Sequence, residues 1–155
     1  MTKPVDHGLQ DRQITLSRVM AASPAKVWSC WTDPVLIPRW FGPDGYTCVT
    51  REINLVPGGQ WRFDMIGPDG AVFRNRHRIT LYQPTSRIEF LMDADDDTQE
   101  PMRVEVLLQA EGAGTRVTQT ITLPTVEAKQ AALGFGADRL GLQTMGKLAR
   151  LAETL

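Results

Sequence analysis

The stretch QWRFDMIGPDGAVFRNRHRITLYQPTSRIEF, residues 60–90, decides the fold of this 155-residue chain. Apolar and polar residues alternate on either side of Gly67–Gly70, whose sequence Gly-Pro-Asp-Gly is typical of a hairpin turn. A second turn follows at Pro84–Ser86, after which the alternation resumes. A period of two predicts β-strands at Gln60–Ile66 and Ala71–Tyr82, and the short turns predict that consecutive strands pair antiparallel.

The same alternation continues in both directions from this stretch. It predicts further strands, which lie at Gln13–Met20, Tyr46–Val56, Met102–Ala110 and Thr115–Leu123. Together with the strand after the Pro84–Ser86 turn, the sheet is expected to contain about six to seven antiparallel strands. Such a sheet has one apolar face, which another element must cover.

Helical signals lie on both sides of the strand-rich region. Ser23-Pro24 is typical of a helix start, with Ser as the N-cap and Pro at the first helical position. Asp33-Pro34 is expected to end this helix, and a second short turn covers Val35–Trp40. The segment Val126–Ala152 is rich in Ala, Leu, Lys, Gln and Glu and poor in β-branched residues, which predicts a long C-terminal helix.

Four glycines interrupt the predicted C-terminal helix, each at a cost of about 1 kcal/mol relative to alanine. They are Gly134, Gly136, Gly141 and Gly146. Two explanations are open: a break near Leu133–Gly136, or a backbone that passes close to something or leaves room for it. The predicted fold class is therefore α+β, in which a curved antiparallel sheet wraps around a long C-terminal helix and one or two short helices follow the first strand.

The bulk composition narrows the functional classes. Seventeen basic and eighteen acidic residues give a net charge of -1, so the chain has no general attraction for nucleic acid or anionic membranes. No apolar run approaches the roughly 18–20 residues of a membrane span, and no stable membrane insertion is expected. Residues 1–11 are expected to form a flexible polar tail without a signal peptide, before a single domain at residues 12–155 of a cytoplasmic protein.

The sequence contains no motif for a metal or a cofactor. Zinc-helix, phosphate-loop and dinucleotide fingerprints are absent, so neither is expected. Cys30 and Cys48 do not form a Cys-x-x-Cys pair. A disulfide between them is not excluded by the sequence, but two free, buried thiols in a reducing cytoplasm are favoured.

Three polar side chains are expected among the apolar residues of the inner face. By strand parity His77 points toward the helix together with Phe73, and Asn75 and Gln119 point the same way. An unpaired buried polar group costs about 1–3 kcal/mol, so each needs a partner. The favoured interpretation is that they satisfy one another or buried water. The alternatives are that they orient a polar group of a bound ligand, or that His77 acts as a general acid or base.

Large apolar residues at inward positions either fill the core or line a cavity, and the sequence does not separate the two cases. The helical glycines favour a gap, because missing side chains leave volume. With the three polar residues, the candidate cavity residues are Trp40, Phe41, Trp61, Phe63, Phe73, Asn75, His77, Phe90, Gln119, Phe135, Leu142 and Met145.

A row of arginines is predicted on the outer face of the sheet. Arg74, Arg76 and Arg78 alternate with inward residues. Glu89 and Glu105 have the parity to pair with this row, and a ladder of solvated ion pairs is favoured over nucleic-acid binding. The acidic run Asp93–Glu100 is interpreted as a solvated loop.

Several motifs resemble those of the START-like (SRPBCC) superfamily, within it proteins similar to the C-terminal domain of the activator of heat-shock protein 90 ATPase. They are SPAKVW (residues 23–28), WTDPVLIPRWFGP (31–43), INLVPGGQWRF (53–63) and GLQTMGKLARL (141–151). The resemblance extends from about Arg12 to Leu155. It implies the helix-grip fold, with an apolar cavity between sheet and helix and with Trp40 and Phe41 lining or lidding its opening.

The chain departs from this family pattern at three positions. Leu142 stands where Trp is common, Asn54 where Asp is common, and His77 near a position that is usually small. Such changes reshape a cavity, so the identity of a ligand is not carried over from the resemblance.

Three functional hypotheses arise from these observations. The leading one is a binding module for a small hydrophobic or amphipathic ligand, held between sheet and helix with Trp40 near the entrance. The second is a cyclase-like or hydratase-like enzyme that uses His77 as the candidate catalytic residue. The third is a chaperone-associated interaction domain, which rests on the resemblance alone. A homodimer is possible, although no residue argues for it.

Overall fold

The computed structural model describes residues 8–155, which form one antiparallel sheet and helices that pack against it. The sheet has seven strands in the order β1-β7-β6-β5-β4-β3-β2. Their bounds are β1 Gln13–Met20, β2 Thr47–Ile53, β3 Gln60–Ile66, β4 Val72–Gln83, β5 Arg87–Asp93, β6 Met102–Glu111 and β7 Gly114–Thr122. The helices are α1 Pro24–Thr32, α2 Ile37–Trp40, α3 Val126–Phe135 and α4 Ala137–Thr154. The predicted helix-grip α+β fold is confirmed.

The predicted flexible tail lies mostly outside the described residues. Residues 1–7 are not described, and residues 9–12 form a single 3-10 turn directly before β1. The side chain of Lys129 in α3 approaches the carbonyl of Gln10 in this turn at 3.5 Å. The last part of the predicted tail is therefore packed against the C-terminal helices.

The first helix begins and ends where its sequence signals predicted. The Ser23 hydroxyl accepts a hydrogen bond from the amide of Lys26, and Pro24 occupies the first helical position. The helix ends at Thr32 because Pro34, two residues on, has no amide hydrogen to continue the ladder. Val27, Cys30 and Trp31 are buried on the side that faces the core.

The last helix lies on the concave face of the sheet, as the helix-grip fold requires. Its buried face is formed by Met145, Leu148, Ala149 and Ala152. A methyl group built on Gly141 would overlap the side chain of Leu16 in β1. The expectation that the helical glycines open a gap is therefore wrong at Gly141, where the missing side chain permits close packing instead.

The predicted C-terminal helix is divided in two. Gly136 has φ 90°, a left-handed conformation that ends α3 and precedes α4. The break falls within the predicted segment Leu133–Gly136. None of the residues of α3 is buried, whereas α4 carries five buried residues, so the two helices have different environments.

A bulge in β4 reverses which side chains face the core. The register to β5 shifts between Ile79 and Leu81, so that Tyr82, rather than Leu81, pairs with the inward Ile88. The ring of Tyr82 packs edge-on against Trp28 at 5.2 Å. In the predicted strand Ala71–Tyr82, alternation without a bulge places Leu81 on the inner face. The bulge makes this prediction wrong.

Candidate functional site

The Trp-rich segment is folded into the core and does not border an opening. Trp40 is 1% exposed, and its ring lies 4.7 Å from that of Trp31. Its indole nitrogen donates a 2.9 Å hydrogen bond to the carbonyl of Cys30. That carbonyl would normally bond to the amide four residues on, but residue 34 is a proline. The expectation that Trp40 lines or lids a cavity is thus corrected, because Trp40 completes the end of α1.

Phe41 packs against the same region and is only partly buried. Its ring packs edge-on against Trp61 and Phe63 at 5.5 and 5.6 Å, and Trp61 and Phe63 are themselves stacked at 3.6 Å. The backbone carbonyl of Phe41 accepts a hydrogen bond from the thiol of Cys48. These contacts fill the space between the short helices and strands β3 and β4.

His77 lies inside a box of aromatic rings. It is 3% exposed, stacked on Phe90 at 4.2 Å and edge-on to Phe41, Trp61 and Phe63. Its Nε2 atom is buried without a hydrogen-bond partner among the described residues. Burial lowers the pKa of His77 to about 3, so the imidazole is neutral near pH 7.

The three inward polar residues do not bond to one another. Asn75 directs its Nδ2 at the carbonyl of Phe73, at 3.1 Å. Gln119 lies in β7, which is three strands away from the β4 strand of His77, or about 14 Å across the sheet. The favoured expectation of mutual hydrogen bonding is therefore not realised for His77.

A cavity lies under α3, beside the packed core. The cavity, of about 450 Å³, opens between α3 and the ends of strands β3 to β6. Its apolar lining consists of Met65, Phe73, Met92, Met102, Leu123, Pro124 and Ala128. Its polar lining consists of Arg74, Asn75, Asp93, Gln99 and Glu100, and Ala94 completes the lining.

Two of the predicted cavity residues, Phe73 and Asn75, line this space. Phe73 is 47% exposed, and the ring of Tyr46 lies 6.2 Å from its own. Others lie in the packed core, namely Trp40, Trp61, Phe63, His77, Phe90 and Met145. Phe135, at the end of α3, and Leu142, on the outer side of α4, are exposed instead.

The cavity residues that sequence reasoning missed are of two kinds. Met65 and Met92 share the inward parity of their strands, so the alternation already contained their signal. Gln99 and Glu100 belong to the acidic segment that was interpreted as a solvated loop. No local pattern marks a loop residue as the wall of a cavity, since its position depends on long-range contacts.

Those long-range contacts are ion pairs on the convex face of the sheet. Arg76 binds Asp93 and Asp97, and Arg78 binds Asp93. Arg51 and Arg62 both bind Asp95. We call this group the arginine–aspartate cluster; its members are Arg51, Arg62, Arg76 and Arg78 with Asp64, Asp93, Asp95 and Asp97.

The cluster corrects two expectations from the sequence. Arg76 and Arg78 pair with aspartates of the 93–97 segment, and Arg74 forms no ion pair within residues 8–155. Glu89 and Glu105 bind Arg87 instead. The segment is also more ordered than a solvated loop, because the carboxylates of Asp93 and Asp95 are almost completely covered. Burial by itself would raise the pKa of Asp93, but hydrogen bonds from Arg76 and from the Asp95 amide outweigh it and lower that pKa.

Within residues 8–155, no group of three or more His, Cys, Asp or Glu side chains is arranged to hold a metal ion. In the same part of the chain, no helix combines the length and apolarity of a membrane span. Cys30 and Cys48 are both free thiols.

A seven-stranded sheet that grips a C-terminal helix, with a cavity at one end, defines a helix-grip α+β domain. The family model described as Activator of Hsp90 ATPase homolog 1-like protein matches residues 21–153, and the chain belongs to this AHSA1-like family of the START-like (SRPBCC) superfamily. Comparison with curated proteins gives no match.

Solved structures of proteins from several organisms share the fold. A Mycobacterium smegmatis protein superimposes with a TM-score of 0.83 at 24% identity, covering 98% of each chain. An Arthrobacter aurescens protein gives a TM-score of 0.84 at 22% identity, covering 98% of this chain and 92% of that one. An AHSA1-like protein from Aeromonas hydrophila gives 0.69 at 24% identity, covering 92% of each. At such identities the likeness concerns the fold alone.

Proposed function

We propose that this domain binds a small, mainly apolar ligand in the cavity under α3. The observation that carries the proposal is the exposed ring of Phe73 at the wall of a cavity of about 450 Å³. Pockets of this size, with apolar walls and few polar groups, are typical of small-molecule sites. Three methionines of the lining, Met65, Met92 and Met102, add flexible and polarisable surface that adapts to ligands of different shape.

The polar groups of the cavity favour a ligand that both donates and accepts hydrogen bonds. One N–H of the Asn75 amide binds the Phe73 carbonyl, which leaves its second N–H as a donor and its Oδ1 as an acceptor. Gln99 uses its Oε1 to accept from the Ala94 amide, so its two N–H donors are left for a ligand. The carboxylate of Glu100 also lines the cavity and is a second acceptor. An amphipathic ligand with a hydroxyl or amine group matches this arrangement.

The experiment is a titration with fluorescent fatty acids and aromatic probes, read by the change in probe emission. Replacing Ala128→Phe fills the cavity from α3 and is expected to weaken binding by at least about tenfold, because the side chain occupies the site. Ala131→Phe is the matched control, since Ala131 lies on the same helix, is exposed, and does not line the cavity. Equal binding by wild type and both variants, or no binding tighter than about 1 mM, contradicts the proposal.

The two other hypotheses have less support. Catalysis by His77 requires a substrate to reach a ring that is boxed by aromatic side chains and is not part of the cavity lining. A His77→Ala variant that turns over a candidate substrate as well as wild type removes this alternative. A chaperone-associated role rests on family membership alone. A pull-down that recovers no chaperone argues against it.

A further inference from the structure

A second concave surface lies along one flank of α4, beside β1 and away from the cavity under α3. We call it the arginine groove; it has a volume of about 460 Å³. Its charged lining consists of Arg18 from β1, Arg139 and Arg150 from α4, and Asp44 and Asp138. No residue of the groove lines the cavity under α3, so a ligand site in the groove is independent of the proposed function.

Two guanidinium groups approach the same point in this groove. A methyl group built on Gly146 would lie 3.4 Å from Nη1 of Arg18 and 3.5 Å from Nη1 of Arg150. The two nitrogens are therefore no more than 6.9 Å apart, the sum of these distances. Because Gly146 has no side chain, the space between them is left to the groove.

These positive charges are poorly neutralised by the protein. Within residues 8–155, neither Arg18 nor Arg139 has a carboxylate within 4.0 Å. Arg150 approaches Asp44 only at 3.8 Å, beyond hydrogen-bond distance. Three arginines face two aspartates, so one positive charge is in excess. The arginines of the arginine–aspartate cluster are, by contrast, all held in short ion pairs.

We propose that the arginine groove binds a phosphate group, with Arg18 and Arg150 both donating to it beside Gly146. Guanidinium groups favour phosphate because their N–H groups match its oxygens, at about 2.8 Å for each charge-assisted bond. Two such bonds to one shared phosphate oxygen span at most about 5.6 Å. That span is within the 6.9 Å limit on the separation of the two nitrogens. The bound dianion also offsets the repulsion between the two cations. Leu142, which is 48% exposed in the same groove, offers apolar contact to the rest of a phosphate monoester.

The experiment is a calorimetric titration of the full chain with inorganic phosphate and with phenyl phosphate, at an ionic strength held constant with chloride. Wild type is expected to bind both, and phenyl phosphate more tightly because of Leu142. Arg18→Gln and Arg150→Gln should each weaken binding by about five- to tenfold. No detectable binding of either compound to wild type overturns the proposal.

A pair of glycine variants separates phosphate binding from general attraction to positive charge. Gly146→Ala keeps every charge but places a methyl group between the two guanidinium groups, so affinity should fall by at least about fivefold. Gly134→Ala is the matched control, because it is also a helical glycine and its added methyl group meets no atom within 4 Å. Both variants should be folded, since the neighbours of Gly146 are the flexible ends of arginine side chains. Phosphate affinities that are the same in wild type, Arg18→Gln and Gly146→Ala overturn the proposal.

The phosphate group can come from a soluble ester or from a lipid headgroup. Co-sedimentation with phosphatidylcholine vesicles, with and without phosphatidic acid, distinguishes these sources. Binding that requires phosphatidic acid and is lost in Arg18→Gln assigns the group to a lipid. Binding of phenyl phosphate without vesicle binding assigns it to a soluble ester.

Discussion

Arg76 and Asp93 form a two-bond ion pair that links the sheet to the wall of the cavity. The Nε–Oδ1 and Nη2–Oδ2 distances are 3.0 and 2.8 Å, and the Asp93 carboxylate is completely covered. Arg78 and the amide of Asp95 bind the same carboxylate at 3.1 and 2.9 Å. The segment that begins at Asp93 continues to Glu100 at the cavity, so charges on the convex face position a wall on the concave side.

Asp93→Asn should therefore destabilise the protein strongly. It leaves Arg76 and Arg78 without their buried counter-ion, which costs about 3 kcal/mol in the free energy of unfolding. Asp97→Asn is the matched control, because Asp97 also binds Arg76 at 2.8 Å but its side chain is 87% exposed, and its loss should cost no more than about 1 kcal/mol. Urea denaturation measures both values. Equal losses in the free energy of unfolding for Asp93→Asn and Asp97→Asn would show that burial does not determine the strength of these ion pairs.

The buried His77 should make stability depend on pH. Burial lowers its folded pKa to about 3, whereas an unfolded histidine has a pKa near 6.5. Between these two pKa values, His77 is protonated in the unfolded chain and neutral in the folded protein. Protonation of the unfolded chain therefore lowers the free energy of unfolding as the pH falls from about 6.5, by up to about 1.4 kcal/mol per pH unit. Near pH 7 and above, the contribution is absent.

His77→Phe tests this dependence. The phenyl ring keeps the contacts with Phe41 and Phe90 and removes a buried nitrogen that has no partner among the described residues. The variant should be at least as stable as wild type at pH 7 and should lose less stability between about pH 6.5 and 4.5. The carboxylates of Asp93 and Asp95 have lowered pKa values and titrate below this pH window. Parallel pH profiles of the two proteins would refute the assignment.

The sheet and the helices were predictable from the sequence because each depends on local signals. The Ser23-Pro24 start, the hairpin turn at Gly67–Gly70 and the break at Gly136 all result from the preferences of single residues. The site was predicted less well. Inward parity identified Phe73 and Asn75, but parity does not distinguish a ring that lines a space from one that fills it.

The features hidden from the sequence depend on contacts between distant residues. Trp40 lies in the core, where its indole satisfies the Cys30 carbonyl, a relationship that becomes visible once the chain is folded. Likewise the acidic segment forms a cavity wall because Arg51 and Arg62 bind Asp95 from strands earlier in the chain. The β4 bulge, which turns Tyr82 inward, has no mark in the alternation.

Two glycines of the C-terminal region should respond oppositely to alanine. Gly134→Ala meets no atom within 4 Å and should stabilise the protein by up to about 1 kcal/mol through helix propensity. Gly141→Ala overlaps Leu16 in the core and should destabilise by about 1–3 kcal/mol, since the buried Leu16 side chain must leave its rotamer or α4 must shift. Thermal unfolding compares the two directly. A stabilised Gly141→Ala would show that α4 is not held closely against β1.

The two thiols should be slow to react in the folded protein. Burial raises the pKa of Cys48 to about 11 and has the same effect on Cys30, whereas an exposed thiol has a pKa near 9. At about pH 8 the thiolate fraction then falls by about a hundredfold, and alkylation by iodoacetamide should slow at least as much relative to the unfolded chain. Cys48→Ser and Cys30→Ser assign the residual rate to one thiol. Rapid modification of the folded protein would contradict this prediction.

The left-handed residue at Gly136 gives α3 a hydrogen-bond ladder separate from that of α4. Since α3 buries none of its residues, its amides should exchange with solvent deuterium through local openings that leave α4 protected. For the ligand proposed above, such local openings of α3 would provide a route into and out of the cavity while the rest of the fold stays intact.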